Sequence, residues 1–335
     1  MTGLGGSPAG GAAQTLRVQH IIFTSLSDPR VQGLHKKVAR GVDSREQPLY
    51  ITPGRKSGTL YFCSESGLFQ FPKTCLLTFQ NFKNLISIEG LDRIDTSGVT
   101  SMEAMFDDCE KLTSLDLSSW NVSNVETMYG MFEGCSSLES LNLSGWNTES
   151  VTDMSRMFAR CKTLKSLDVK HFDTSNVIKM NALFLCCSGL KALDLSSWNT
   201  ESVKDFGYMF YGCRSLSEIS SVTWWNTENV MSMFETFQGC VGLKAIDLSG
   251  WDTSNVKSMG GMFLGCSSLK TLKMSAASTA KSPNTEDMFK GCENLESVEL
   301  PRHPHGGAVD QEGSQRADRS KSQMADPRTV AITFL

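Results

Sequence analysis

Between residues 99 and 300 the apolar positions recur with a fixed period. Val99, Met102, Met105, Phe106, Cys109, Leu112, Leu115, Leu117 and Trp120 return as Val125, Met128, Met131, Phe132, Cys135, Leu138, Leu141, Leu143 and Trp146. They return again as Val151, Met154, Met157, Phe158, Cys161, Leu164, Leu167, Val169 and Phe172. A repeat of this length is the signature of stacked supersecondary units. Within a unit, Val125, Met128, Met131, Phe132 and Cys135 step by three and four, which predicts one face of a short helix. Asn147-Thr148-Glu149-Ser150 and Asp252-Thr253-Ser254-Asn255 place N-cap residue types where such helices would begin. Gly130, Gly260 and Gly261 fall inside the expected helices, at up to about 1 kcal/mol each relative to Ala. Stacking rather than propensity would have to hold them. Leu115-Asp116-Leu117 alternates with period two and predicts a strand. The expected fold is α/β: a right-handed solenoid of about eight strand-turn-helix units, about 40 Å long at sheet spacing.

The flanks differ. Residues 1–58 lie outside the repeat and are expected to be partly disordered, with residues 1–13 rich in Gly, Ala and Ser. Residues 59–98 read as a divergent N-terminal capping unit. There Leu85-Ile86-Ser87-Ile88 resembles the strand half of a unit, and Asp95-Thr96-Ser97 the turn before the next. The repeat array spans 99–300. Its last unit is degenerate, and a Ser/Ala/Lys-rich loop at 275–284 interrupts it. Residues 301–335 are polar and expected to be disordered. No apolar run in the first 30 residues is long enough for a secretory leader, and no run of about 18 apolar residues predicts a membrane span.

Composition sharpens this picture at the cysteines. Apolar residues make up 40% and charged residues 20%, with net charge −4. Residues 1–60 carry +5 and residues 61–300 carry −10, so no nucleic-acid partner is expected. Eight of the 11 Cys fall at 109, 135, 161, 187, 213, 240, 266 and 292, in steps of 26 with a single step of 27. No repeat Cys has a His closer than ten residues, and zinc spacing is absent. The ladder is expected to fill core, with neither metal nor cofactor. Cys63 and Cys75 stand outside it, and a disulfide between them is left open. The Met and Phe columns, and the Trp column with Phe172 substituting, are read as core. Each indole N–H is expected to meet a carbonyl. His171, beside Phe172, reads as a surface variant.

Seven residues after each Cys the side chain should point away from the Leu core. There stand Asp116, Asn142, Asp168, Asp194 and Asp247, the candidate ligand-binding strip. Like charges at strand spacing repel, so a cationic partner would relieve them. A merely solvated face is the competing reading. No motif for nucleotide binding, zinc hydrolysis or a nucleophile elbow occurs, so no catalytic residue is assigned. Asn121-Val122-Ser123 and Asn142-Leu143-Ser144 match the glycosylation sequon.

The unit from Val125-Glu126-Thr127-Met128 through Cys135-Ser136-Ser137-Leu138 to Ser144-Gly145-Trp146-Asn147-Thr148 resembles that of the BspA-like leucine-rich repeat surface proteins. These carry a bacterial surface protein repeat of 26 residues. The resemblance covers residues 99–300. It implies a leucine-rich-repeat-like solenoid at the cell surface or outside the cell, in a non-enzymatic protein-binding or adhesion role. The partner would be a protein or cell-surface polymer met through the strand face, and the chain would be monomeric. The alternative is the recognition array of a larger signalling or enzymatic protein whose catalytic part is absent.

Overall fold

A computed structural model describes residues 17–42, 48–55, 58–274, 284–300 and 331–334. Residues 275–283 of the expected loop at 275–284, residues 1–16 and most of the expected C-terminal tail lie outside them. The chain opens with β1 (His20–Ser25), β2 (Lys37–Val42), β3 (Pro48–Pro53) and β4 (Thr59–Ser64). After the two-residue β5 (Phe69–Gln70) comes β6 (Ser87–Glu89), and the sheet order is β2-β3-β4-β1-β6. β1 lies parallel to both β4 and β6. This sheet crosses the division drawn at residue 58. Ile21, Phe23, Leu49 and Phe62 from it join the same apolar core as the repeats. It therefore covers the apolar end that a stack of identical units would leave open.

Beyond β7 (Ile94–Asp95), all units but one contribute a short parallel strand: β8 (Ser114–Asp116), β9 (Ser140–Asn142), β10 (Ala192–Asp194), β11 (Glu218–Ser220), β12 (Ala245–Leu248), β13 (Thr271–Met274) and β14 (Ser297–Leu300). A final strand, β15 (Ala331–Phe334), pairs with β14. The column is not continuous. β8 pairs β9, β10 pairs β11, and β12 pairs β13. Residues 166–168, expected as a strand, are not in one. A second ladder across the core is unbroken, running Thr74, Ser101, Thr127, Asp153, Lys179, Asp205, Ser232, Ser258 and Asn284.

The expected helices do not form, and the described residues contain no α-helix. The stretch from Met128 to Cys135 is a run of tight turns. The N–H groups of Met131, Glu133 and Cys135 donate three residues back, to Met128, Gly130 and Phe132. Those of Met128, Gly130, Phe132 and Gly134 donate sideways, to Asp153, Ser155, Met157 and Ala159 of the next unit. Two residues in each run of turns adopt positive φ, four apart: Gly130 and Gly134 here, Arg156 and Arg160 in the next. Spacing explains the outcome. Parallel strands lie about 4.8 Å apart, whereas packed helices need 8–10 Å. Units hydrogen-bonded on both sides of the core leave no room for helices. The apolar steps of three and four survive because successive tight turns also return side chains to one face.

Nine phenyl rings record the spacing. Phe79, Phe106, Phe132, Phe158, Phe184, Phe210, Phe237, Phe263 and Phe289 stack with centroids 5.2–5.8 Å apart and planes within 16°. Phe79 belongs to the turn half of a unit before residue 99. There Cys75 and Leu85 are also buried, and Phe82 replaces the repeat cysteine. Phe79 and Phe82 stand 27 residues before Phe106 and Cys109, one more than the usual period, and that offset hides this half in the linear pattern.

Candidate functional site

Polar side chains tie unit to unit before any is left for a ligand. The thiols of Cys109, Cys135, Cys161, Cys187, Cys213, Cys240, Cys266 and Cys292 each reach the carbonyl of the Phe 29 or 30 residues back, at 2.9–3.2 Å. Seven of the eight are fully sequestered and Cys292 nearly so. Burial pushes Cys161 and Cys266 up to about 12 and Cys292 up to about 11. Such groups are poor nucleophiles and poor metal ligands, both of which need the thiolate. Among the described residues no three Cys, His, Asp or Glu side chains converge as a metal site would. Cys63 and Cys75 are both free. Cys63 packs with Ile22, Val31 and Tyr61 in a separate cluster, and Cys75 lies in the main core.

Buried threonines add a second ladder. Thr96, Thr148, Thr174, Thr200 and Thr227 donate to the carbonyls of Asn121, Asp173, Asn199, Asn226 and Asp252 in the following unit, at 2.8–2.9 Å. The Asn and Asp before them, expected to cap helices, close Asx turns instead: Asn147 Oδ1 accepts the Glu149 N–H at 3.1 Å. The indoles of Trp120, Trp146, Trp198 and Trp251 donate to carbonyls 29 residues back, at 2.7–3.0 Å.

Where Phe172 replaces Trp, His171 Nε2 lies 3.0 Å from the Leu143 carbonyl, the oxygen an indole there would have met. His171 is exposed, as a surface variant would be, and it also supplies the bond that phenylalanine cannot. Trp225 is the exception. It stacks between Trp198 and Trp251, yet its buried Nε1 has no partner. The extra residue of the 27-residue step lies just before it. Ser221 takes φ 63 and opens a 3-10 turn at Val222–Trp224 that leaves Trp224 85% exposed.

The candidate strip is positioned by the strand ends. Asp116 and Asn142 face each other across β8 and β9, and Asn142 Nδ2 donates to Asp116 Oδ1 at 3.0 Å. Asp194 ends β10 opposite Ser220. Asp247, half-buried, pairs with Lys273 across β12 and β13. Asp168 sits in the unpaired stretch between β9 and β10. All five accept the N–H two residues on: those of Ser118, Ser144, Lys170, Ser196 and Ser249, at 2.9–3.3 Å. Their shared local task is to close the turn after the strand. Asn142 performs it without charge. The Ser118 hydroxyl and N–H lower the Asp116 carboxyl from its ordinary range. The Lys170 ammonium, 2.8 Å away, holds Asp194 at about 2, helped by Ser196. Beside Asp247 the displaced turn leaves a recess of about 250 Å³ lined by Glu218, Ile219, Val222, Thr223 and Lys273.

The opposite, turn-lined face was not singled out by the alternation rule. In the first units it carries an ionic network: Arg156 Nε lies 2.7 Å from Glu133 Oε2, and Arg160 reaches Glu133 at 3.1 Å and Asp108 at 3.5 Å. Lys179 pairs with Asp153 at 3.3 Å. Separated by 23 to 52 residues in sequence but adjacent across units, these groups have no linear signature.

No curated protein matches the sequence. Among solved structures, a leucine-rich repeat protein from Bacteroides ovatus is 19% identical with a TM-score of 0.45, over 83% of this chain and 64% of that one. The chain thus spans less than two thirds of that protein's length. A leucine rich cell surface protein from Faecalibacterium prausnitzii is 15% identical with a TM-score of 0.27, over 78% of this chain and 82% of that one. The family model described as "Mycoplasma protein of unknown function, DUF285" matches at residues 74–191, 141–222 and 187–300. Those matches begin at the first rung of the continuous ladder and together cover more than half of the sequence, and the chain belongs to that family.

Proposed function

We propose that the protein is a non-enzymatic binding scaffold, a leucine-rich-repeat-like solenoid that holds a protein or cell-surface polymer against its strand face. The observation that carries this reading is the register of the short parallel strands. It sets exposed polar side chains at fixed intervals on a frame whose thiols, threonines and indoles are already committed to internal bonds. Repeat stacks present such surfaces to partners. The high thiol pKa values speak against cysteine catalysis. The resemblance to BspA-like surface proteins favours a location at the cell surface, and an intact surface-labelled cell would expose a tagged chain to antibody without permeabilisation.

The contact residues in this reading are Asp116, Asn142, Asp168, Asp194 and Asp247. Because Asn142 closes its turn without charge, Asp→Asn substitution removes charge and keeps the fold. Affinity capture from surface-biotinylated cells should recover partners with wild type and lose them with Asp168→Asn/Asp194→Asn and with Asp168→Lys/Asp194→Lys. Equal recovery by all three folded proteins would remove the strip from the proposal.

A further inference from the structure

Carboxylates on the turn-lined face of the first three units sit beside guanidinium or ammonium groups of the same chain. Glu133 and Asp108 have Arg156 and Arg160, and Asp153 has Lys179. In the last unit Asp287 has Lys290, 3.1 Å away. The pattern changes around residues 205–238. Glu235 occupies the positive-φ position that holds Arg156 three units earlier and Tyr208 one unit earlier. No ion pair reaches Glu235 or Asp205 among the described residues, and Asp205 Oδ1 accepts only the Gly207 N–H, at 2.7 Å. Burial raises the Glu235 carboxyl, with no cation to offset it.

Three aromatic rings stand beside these acids. Tyr208 is 39% exposed. Its ring meets Phe234 at 5.4 Å and 72°, and Tyr211 at 6.1 Å and 55°. Both nearby acids act on the Tyr208 phenol, which is raised by burial first and then by Glu235, Tyr211 and Asp205. The rings are not crowded by neighbouring units, because Gly207 and Gly260 take the Phe234 position on either side and Gly261 the Glu235 position. A Cβ on Gly260 would stand 3.2 Å from the Phe234 ring, and one on Gly261 2.9 Å from Glu235 Cγ. Steeply inclined rings next to uncompensated carboxylates favour a cation held over the ring faces, and Arg is the side chain best suited to stack there.

We propose that Tyr208, Tyr211, Phe234 and Glu235 form a docking site for an arginine side chain of a partner protein, on the face opposite the candidate strip. The in-chain Arg156–Glu133 pair shows the same role filled internally three units away. The site needs nothing from the strand face, so it stands or falls separately from the function proposed above.

The repeat supplies replacements that suit the backbone. Tyr208→Gly fits its φ of 60, Phe234→Gly copies Gly207 and Gly260, and Glu235→Gly copies Gly130 and Gly261. The probe is a fluorescein-labelled Gly-Arg-Gly-Arg-Gly-Arg peptide, titrated by fluorescence anisotropy at 50 and 150 mM salt. Wild type should bind it. Tyr208→Gly/Glu235→Gly should weaken binding tenfold or more at both salt concentrations. Asp173→Asn/Asp252→Asn, which removes more charge away from both sites and copies the turn-closing Asn199 and Asn226, should change it less than twofold. Equal weakening by both pairs would mean bulk charge alone and would overturn the site. So would absence of peptide binding, or binding of the wild type to phosphatidylcholine vesicles in place of the peptide, since the rings would then serve a choline headgroup. Unchanged urea midpoints in the variants exclude misfolding as the cause.

Discussion

At the scale of single residues, the protein assigns one hydrogen bond to each side-chain type and repeats it. His171 is the clearest test because it compensates a substitution beside it. His171→Ala should cost about 0.5–1 kcal/mol in urea denaturation, the net worth of one hydrogen bond. Phe172→Trp on that background should restore most of the loss by returning an indole donor to the Leu143 carbonyl. If the double variant is no more stable than His171→Ala, the compensation is wrong.

The thiols make a second residue-scale prediction. An unfolded cysteine titrates near 9.0, whereas Cys161 and Cys266 hold their protons to about 12. Below pH 9 both states are protonated and the thiols add no pH dependence. Above it the unfolded chain releases protons that the folded chain retains, so stability falls as pH rises from 9 towards 12. Urea midpoints at pH 8 and 10.5 should differ, and the difference should shrink in Cys161→Ala/Cys266→Ala relative to wild type.

At the scale of the element, the question is helix or turn. Glycine-to-alanine substitution answers it by sign. In a helix Gly130→Ala would stabilise by up to about 1 kcal/mol. At φ 58, with Glu133 Oε2 3.5 Å from an added Cβ and no closer contact, it should destabilise through backbone strain alone. Thermal unfolding of Gly130→Ala reads the sign directly, and a raised midpoint would reinstate the helix. Sequence periodicity could not make this distinction, because a helix and a chain of tight turns both return apolar residues every three or four positions. What tips the balance is the second hydrogen-bonded ladder at Thr74 to Asn284, which brings the units too close for helices. That proximity is a property of pairs of units and is written in neither alone.

At the scale of the whole molecule, the stack is held by contacts between neighbours, capped by the sheet of β1 to β4. Stability should then grow with the number of units. Deleting residues 125–150, one whole period, joins Asn124 to Val151 and preserves every register. The shortened chain should fold, with a urea m-value lower in proportion to the surface lost. Deleting 13 residues from the same place should abolish cooperative folding, since half a period sets strand positions against turn positions. If the two deletions behave alike, the register argument fails.

The sequence by itself determined the period, the apolar columns and the burial of cysteine, methionine, phenylalanine and tryptophan. Each of these follows from identical units hiding identical faces, and it is visible wherever residue types recur at a fixed interval. It also placed Asp116, Asn142, Asp194 and Asp247 on strands, because strand alternation is local. The tertiary structure decided the rest. It replaced helices by turns, left Asp168 outside the ladder, gave His171 the duty of an indole and brought Cys75 and Phe79 into a unit whose 27-residue step hides them. It also set Tyr208 beside Phe234 and Glu235. These outcomes depend on the distance between one unit and the next, about 5 Å at the phenyl stack, and a linear pattern carries the order of the units but not the gap between them.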